Sequence, residues 1–305
     1  MSRHAHASVG RAMTLTIATV NPLTHFGPDS YAANLRSAEQ YVADASARGA
    51  QLVCLPETYP GEWRRPITRT PEKELSALAR AHRVHLVGGF AEPVGGDTSR
   101  CYNTLVLMGP DGSELGRYRR TVPVHAPWIY VGGAYWDFDW VPGDDLPVFE
   151  TELGRIGMLV CSEVYSPELP RQLALGGAEL ILMPAGLTGP QRHAGGHGGA
   201  LFETWRTLAW ARAIENLAVT AICANIPDAG DKGVSMICTP EQVALEEYGE
   251  GVHVATVDLD RVRWLRREQD RIVAGPSPWR TKPGVLRDWR RTDLRTGYLP
   301  EAAAQ

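Results

Sequence analysis

Three short stretches of the chain carry residue types that can break a bond by nucleophilic attack. In "LVCLPETYPGEW" an apolar run ends at Pro56, and Glu57 stands where the chain leaves it. Ligands meet open α/β sheets at such strand ends, and a partly desolvated carboxyl group there is expected to shift up toward the range of a general base. In "RIGMLVCSEVYSPELPRQLALGGAELILMPAG" an apolar run delivers Cys161 to a strand-to-helix junction, with the helix expected to begin near Pro167. A junction of that kind exposes the thiol and aims backbone N–H groups at the atom it attacks. The third stretch, "GRYRRTVPVH", sets two guanidinium groups, Arg119 and Arg120, at the end of another strand. Each stretch also has a plainer reading. Glu57 can cap a turn or pair with Arg64 or Arg65, Cys161 can be a buried inert thiol as Cys54 is expected to be, and "RYRR" can be a solvated strand edge.

The elements that must position these residues follow from hydrophobic periodicity. Short β-branched runs ("TLTIATVNP", "QLVCLPE", "HLVGGFAEPV") alternate with amphipathic segments, and Leu35, Ala38, Tyr41, Val42 and Ala45 fall on one helical face. Pro110-Asp111-Gly112 predicts a hairpin between "RCYNTLVLM" and "SELGRYRR", so the sheet is expected to be mixed. From Leu146 the pattern repeats through "LPVFET", "RIGMLVC", a helix to Leu175, "ELILMPAG", the helix "FETWRTLAWARAIEN", "AVTAICANI", "VSMICTP" and "VHVATVDLD". No Ser/Pro/Gly-rich linker separates the halves. The reading is an extended N-terminus (1–13), one domain (14–276) and a tail (277–305) that packs on a partner subunit.

Composition narrows the classes of function. A chain of 305 residues, 44% hydrophobic and 22% charged, with a net charge of −4, has no pull toward nucleic acid or lipid and points to a small-molecule ligand. Five cysteines without paired CxxC spacing suggest neither a disulfide framework nor a zinc site, and they read as reduced thiols of a cytoplasmic protein. "MSRHAHASVGRAM" has no signal-type apolar core, and no apolar run is long enough to cross a membrane. His193 and His197 in "RHAGGHGG" have metal-like spacing, but the surrounding glycines disfavour a helix and no third ligand is evident, so no metal is expected. A lid is the better reading of that stretch.

Glu57, the "YRR" run and Cys161, in this chain order, resemble the carbon–nitrogen hydrolase (nitrilase) superfamily over roughly Leu15 to Arg267. "LVCLPET" is similar to that family's glutamate motif, and the long cysteine stretch to its nucleophile motif. "ARAIENLAVTAICAN" and "GVSMICTP" are similar to the segments that follow. The resemblance implies a four-layer αββα sandwich with mixed sheets, an assembly of two or more identical subunits, and cofactor-free chemistry. It also implies Glu57 as general base and Cys161 as nucleophile.

Two positions depart from the family pattern. The family's Tyr-Arg-Lys run is here Tyr118, Arg119, Arg120, so Arg120 stands where the lysine belongs, and Val122 where a histidine is usual. A guanidinium can face a developing oxyanion but stays charged and cannot shuttle a proton. Lys232 or Lys282 is the alternative source of an ammonium group. The family's supporting glutamate falls in "AYWDFDWVPGDD", where Asp137 is the better counterpart and Asp139 the other.

Trp63, Trp128, Tyr130, Trp136 and Trp140 are expected in the two loops around the site, where they either rim a pocket for a flat apolar group or pack loop on loop. The function implied is hydrolysis of a nonpeptide C–N bond in an amide or N-carbamoyl compound, with a nitrile also compatible. The oxyanion would be held by the Ser162 N–H and Arg120. An acyltransferase using the same thioester, or a catalytically impaired scaffold that binds a ligand or partner, are the alternatives.

Overall fold

The computed structural model of the chain describes residues 13–27, 30–63, 66–122, 139–186 and 200–274. In chain order its strands are β1 (Thr14–Asn21), β2 (Leu52–Cys54), β3 (His85–Val94), β4 (Asp97–Met108), β5 (Glu114–Arg119), β6 (Asp139–Trp140), β7 (Val148–Thr151), β8 (Gly154–Met158), β9 (Leu180–Leu182), β10 (Val219–Ile222), β11 (Ser235–Cys238), β12 (Val243–Glu247) and β13 (Gly251–Asp258). The helices are α1 (Ser30–Ala47), α2 (Glu72–His82), α3 (Glu168–Leu175), α4 (Ala200–Asn216) and α5 (Leu259–Ala274). One sheet runs β13-β1-β2-β3-β4-β5 with β6 beside β4, and the other runs β12-β11-β10-β9-β8-β7. In each, three parallel strands (β1, β2, β3 and β8, β9, β10) are flanked by antiparallel ones. Both sheets are therefore mixed, as expected.

Side-chain alternation explains the layers. On β1, Leu15 and Ile17 point into the central core while Ala18 and Val20 point out to the helices, and on β2 Leu52 and Cys54 point in while Val53 points out. On β9, Leu180 and Leu182 face the central core and Ile181 the outer one. Strands covered on both faces read as unbroken apolar runs, which is why "QLVCLPE" and "ELILMPAG" look alike. α1 and α2 cover the first sheet through Ala38, Val42, Leu75 and Ala79, and α3 and α4 cover the second through Leu173, Trp205, Ala209 and Ala213. The result is a helix–sheet–sheet–helix sandwich. Cys54 and Cys223 meet across the central layer, Sγ to Sγ 3.8 Å, while Cys101 and Cys238 are buried elsewhere.

The expected strands and helices are found, and the hairpin pairs Thr104 with Arg119 and Leu105 with Tyr118. β6, β12 and α5 are additions. Among its described side chains, α5 anchors only Leu259 and Val262 in the central core, and its sequence is strongly charged. Arg266 donates to the carbonyls of Leu217 and Ala178, tying α5 beneath the second sheet.

Candidate active site

Glu57 lies just past β2 and is nearly fully buried, with 2% of its surface exposed. Its backbone N–H donates to the Ala185 carbonyl at 3.4 Å, and its own carbonyl accepts from Asn225 Nδ2 at 2.9 Å, so both main-chain groups are held by the second sheet. Thr58 then takes a left-handed φ of 54°, unusual for a β-branched residue, which turns the chain sharply away. Asn103 Nδ2, from β4, donates to Glu57 Oε1 at 2.6 Å. A buried carboxylate needs such donors to stay ionised.

Arg120 follows β5. Its N–H donates to the Asn103 carbonyl at 2.9 Å, so Asn103 fixes both Glu57 and the backbone of Arg120. The guanidinium is buried, with Nη1 3.5 Å from Glu57 Oε1 and Nη2 donating to Ser162 Oγ at 2.5 Å. Nε donates to the Val122 carbonyl at 2.9 Å. Arg119, its neighbour, points the opposite way, pairing with Glu92 at 2.7 Å and stacking over Tyr102 at 4.5 Å. The period of two on a strand separates the two arginines: one faces the site and the other an outer ion pair.

Cys161 opens a 3-10 helix, Cys161–Tyr165, that precedes α3, where the sequence suggested only the junction. Its φ is 52°, and it is partly exposed. A non-glycine residue in the left-handed region costs on the order of 1 kcal/mol, and such strain gathers at functional sites. The Glu57 carboxyl group, the Arg120 guanidinium and the Gly186 N–H are the groups that bear on the thiol. Burial holds the thiol well above its ordinary pKa and the Glu57 charge adds to the shift, while the Arg120 guanidinium and the Gly186 N–H oppose it. Cys161 thus rests as the thiol.

The segment after β9 is a spine for the whole site. The Pro184 carbonyl takes the Cys161 N–H (2.8 Å), the Ala185 carbonyl takes that of Glu57, and the Gly186 carbonyl takes that of Asn225 (2.8 Å). A Cβ on residue 186 would stand 2.6 Å from Glu57 Oε2, so only glycine allows the carboxylate its present place.

Glu163 is fully buried and was not singled out from the sequence. Its carboxylate accepts from the Tyr118 hydroxyl (2.8 Å), the Thr121 and Val122 N–H groups (2.9 Å each), the Thr121 hydroxyl (3.0 Å) and the Val160 N–H (2.8 Å). It ties the chain just beyond Arg120 to the chain just before Cys161. Burial, then the Glu163 charge, hold the Tyr118 phenol protonated, so Tyr118 is a fixed donor in this network. A sequence signal exists for two further residues of the site: Asn103 and Asn225 are amides set in otherwise apolar strand ends, "CYNTLVLM" and "AICAN".

The remaining sequence candidates divide. Trp63 is buried, edge-on to Phe26 at 5.1 Å, and its ring comes within 3.8 Å of where a Gly186 side chain would start, so it walls the site. Trp140 instead packs with Ile67, Ala91 and Cys101 against β4, which is the loop-packing alternative rather than the pocket rim. Lys232 is exposed on its loop, while the buried cation beside Glu57 is Arg120, which corrects the suggestion that Lys232 takes that place. Arg64, Arg65, Trp128, Tyr130, Trp136, Asp137, His193, His197 and Lys282 lie outside the described residues, as does the side chain of Asp139. Among the described residues no group of three or more His, Cys, Asp or Glu could hold a metal ion, and no helix is long and apolar enough to cross a membrane.

A thiol, a buried carboxyl group and a pinned cation gathered in this way are the groups that nucleophilic attack on a polarised carbon requires. Comparison with known proteins agrees with the class of chemistry. The carbon-nitrogen hydrolase family matches residues 16–267. Over 255 residues the chain is 32% identical to a deaminated glutathione amidase of Synechocystis sp., covering 77% of this chain and 89% of that protein. It is also 32% identical over 249 residues to a nitrilase of Pyrococcus abyssi, covering 75% and 85% respectively. Among solved structures, a carbon-nitrogen hydrolase from Helicobacter pylori shares the fold at a TM-score of 0.75 and 21% identity, with 94% of this chain and 99% of that one covered. The length of the family match and the identity to these relatives establish that this chain belongs to the carbon-nitrogen hydrolase family of enzymes.

Proposed function

We propose that the protein hydrolyses a nonpeptide C–N bond of a small amide or N-carbamoyl compound through a thioester on Cys161, with a nitrile entering the same route as a thioimidate. Glu57 accepts the thiol proton as sulfur attacks the carbonyl carbon, and the Ser162 N–H and the Arg120 guanidinium hold the oxyanion. Glu57 passes the proton to the departing nitrogen, and ammonia or an amine leaves. Glu57 then deprotonates a water that attacks the thioester, which releases the acid and restores the thiol. Because a guanidinium does not exchange protons near neutral pH, every proton in this cycle travels through one carboxylate. No step calls for a cofactor.

The observation that carries the reading is the gathering of Glu57 and Cys161 on adjacent carbonyls of one segment, Ala185 and Pro184, with the buried Arg120 guanidinium reaching both Glu57 Oε1 and the hydroxyl of Ser162, the residue after Cys161. The amidase and nitrilase named among its relatives support the two substrate classes. Trp63 would lie against the acyl side of the substrate, with Trp128 as a second wall and Asp137 as a supporting carboxylate. The reading includes a cytoplasmic location, supported by five free cysteines. It also includes a homodimer or larger homo-oligomer, supported by the exposed Trp210 and Ile214, one turn apart on α4.

Incubation with a panel of aliphatic amides, ureas and nitriles, followed by intact-mass spectrometry, tests the proposal. An acyl adduct on Cys161 and release of ammonia or amine are expected, both lost in Cys161→Ala. Turnover that persists in Cys161→Ala would remove the thioester route.

A further inference from the structure

An arginine placed beside a nucleophile is useful only if its plane is fixed, because a guanidinium that swings by an ångström no longer faces the atom on which charge develops. Four freely rotating side-chain bonds work against that, and two hydrogen bonds oppose them here. The Nε–H and one Nη2–H of a guanidinium point the same way, along one edge of the plane. In Arg120 that edge meets two protein acceptors, the Val122 carbonyl at 2.9 Å and Ser162 Oγ at 2.5 Å. A planar group held at two points along one edge cannot rotate, and its Nη1 end is left 3.5 Å from Glu57 Oε1. A lysine ammonium has no such edge, so this arrangement is specific to arginine.

Both acceptors are themselves held by the residues that follow the nucleophile. Ser162 is the next residue after Cys161 and is nearly fully buried. Val122 is fixed because its N–H donates to Glu163, the residue after Ser162, at 2.9 Å. The dipeptide Ser162–Glu163 therefore holds the guanidinium directly, through the Ser162 hydroxyl, and indirectly, through the Glu163 carboxylate on the Val122 N–H, and carries it on the same turn as the thiol.

Resting on the functional reading above, we propose that the Ser162 hydroxyl is a positioning residue for Arg120, so that Arg120 and Ser162 act as one unit beside Cys161. The role is distinct from that of the Ser162 backbone N–H, which any residue at 162 would keep. Loss of the hydroxyl removes one of the two fixed points on that edge, lets the plane turn away from the sulfur, and weakens the cation's support of the thiolate.

The test is a double-mutant cycle on alkylation of Cys161 by iodoacetamide, followed by mass spectrometry from pH 7 to 10, with Ser162→Ala, Arg120→Gln and the double variant. This readout needs no knowledge of the natural substrate. Thermal melting accompanies each variant to establish that it is folded. Ser162→Ala is expected to slow alkylation about three- to tenfold at fixed pH and to move the rate profile toward higher pH. Arg120→Gln should slow it at least as much, and adding Ser162→Ala to Arg120→Gln should change nothing further. Equal slowing by Ser162→Ala in both backgrounds would overturn the pairing, as would no slowing in the Arg120 background. If Arg120→Gln itself leaves alkylation unchanged, the reading of Arg120 as the working cation fails first and the pairing fails with it.

Discussion

The two sheets repeat one unit, three parallel strands joined through helices, yet they furnish different halves of the chemistry. β1–α1–β2–α2–β3, with its antiparallel extension to β5, supplies the charges: Glu57 past β2 and Arg120 past β5. β8–α3–β9–α4–β10 supplies the Cys161 thiol past β8, the Pro184–Gly186 spine past β9 and the Asn225 clamp past β10. Each unit leaves its sheet through a non-glycine residue in the left-handed region, Thr58 in the first and Cys161 itself in the second. In the first, the strained residue follows the functional one and turns the chain away behind it. In the second, the strained residue is the candidate nucleophile itself, lifted out of line with its strand. The lesson is that a repeated scaffold fixes where a site falls, while the local backbone at each exit decides what kind of group is presented there.

The largest effect should come from removing the charge that the first sheet contributes. Glu57→Gln keeps the shape and an acceptor for Asn103, and turnover should fall about 10²- to 10⁴-fold. The same change should make Cys161 alkylate faster at fixed pH, because the Glu57 charge is one cause of the thiol's raised pKa and its loss favours the thiolate. Turnover falling while reactivity rises would separate the base from the nucleophile; a fall in both would mean the two sheets do not divide the labour this way.

Next in size is a change in the second sheet's spine. Gly186→Ala forces a methyl against Glu57 Oε2, and a displacement of that order should cost about 10²-fold in turnover with a smaller effect on KM. Unchanged turnover would mean that the Glu57 carboxylate works from a different position. Asn225→Ala cuts the bridge between the units, leaving the Glu57 carbonyl without its side-chain donor and the Thr24 hydroxyl with the Pro22 carbonyl alone. It should lower stability in urea by about 1–3 kcal/mol. The smallest effect belongs to Arg119→Ala, which removes a partly exposed ion pair with Glu92 and should cost about 0.2–1 kcal/mol with turnover retained. Adjacent arginines with such unequal consequences would confirm that strand alternation alone sorts them.

Much of this was legible beforehand. The strands and helices of both units follow from apolar runs such as "QLVCLPE" and "ELILMPAG", because strands covered on both faces leave little room for polar residues. α5 is not legible in this way, since among the described side chains of "LDRVRWLRREQDRIVA" only Leu259 and Val262 reach the core and the charge of the segment conceals its helical stripe. β12 is only partly buried along its length and lacks a clear alternation. Within the site, Glu57, Arg120 and Cys161 stood out because each ends a strand with a reactive group. Glu163, Gly186 and Asn225 did not, because their partners lie far along the chain: Asn225 meets Glu57 across 168 positions. A local window reveals which residues can react, whereas the groups that hold them are defined by how the two sheets meet.

The buried thiols have a use unrelated to catalysis. Cys54 and Cys223 lie in the layer between the sheets, Cys238 in the layer beneath α3 and α4, and Cys101 in a small cluster at the edge near Trp140. Each becomes available to a thiol reagent only when its own layer comes apart, so the order in which the four are labelled during slow denaturation is a built-in record of which layer yields first.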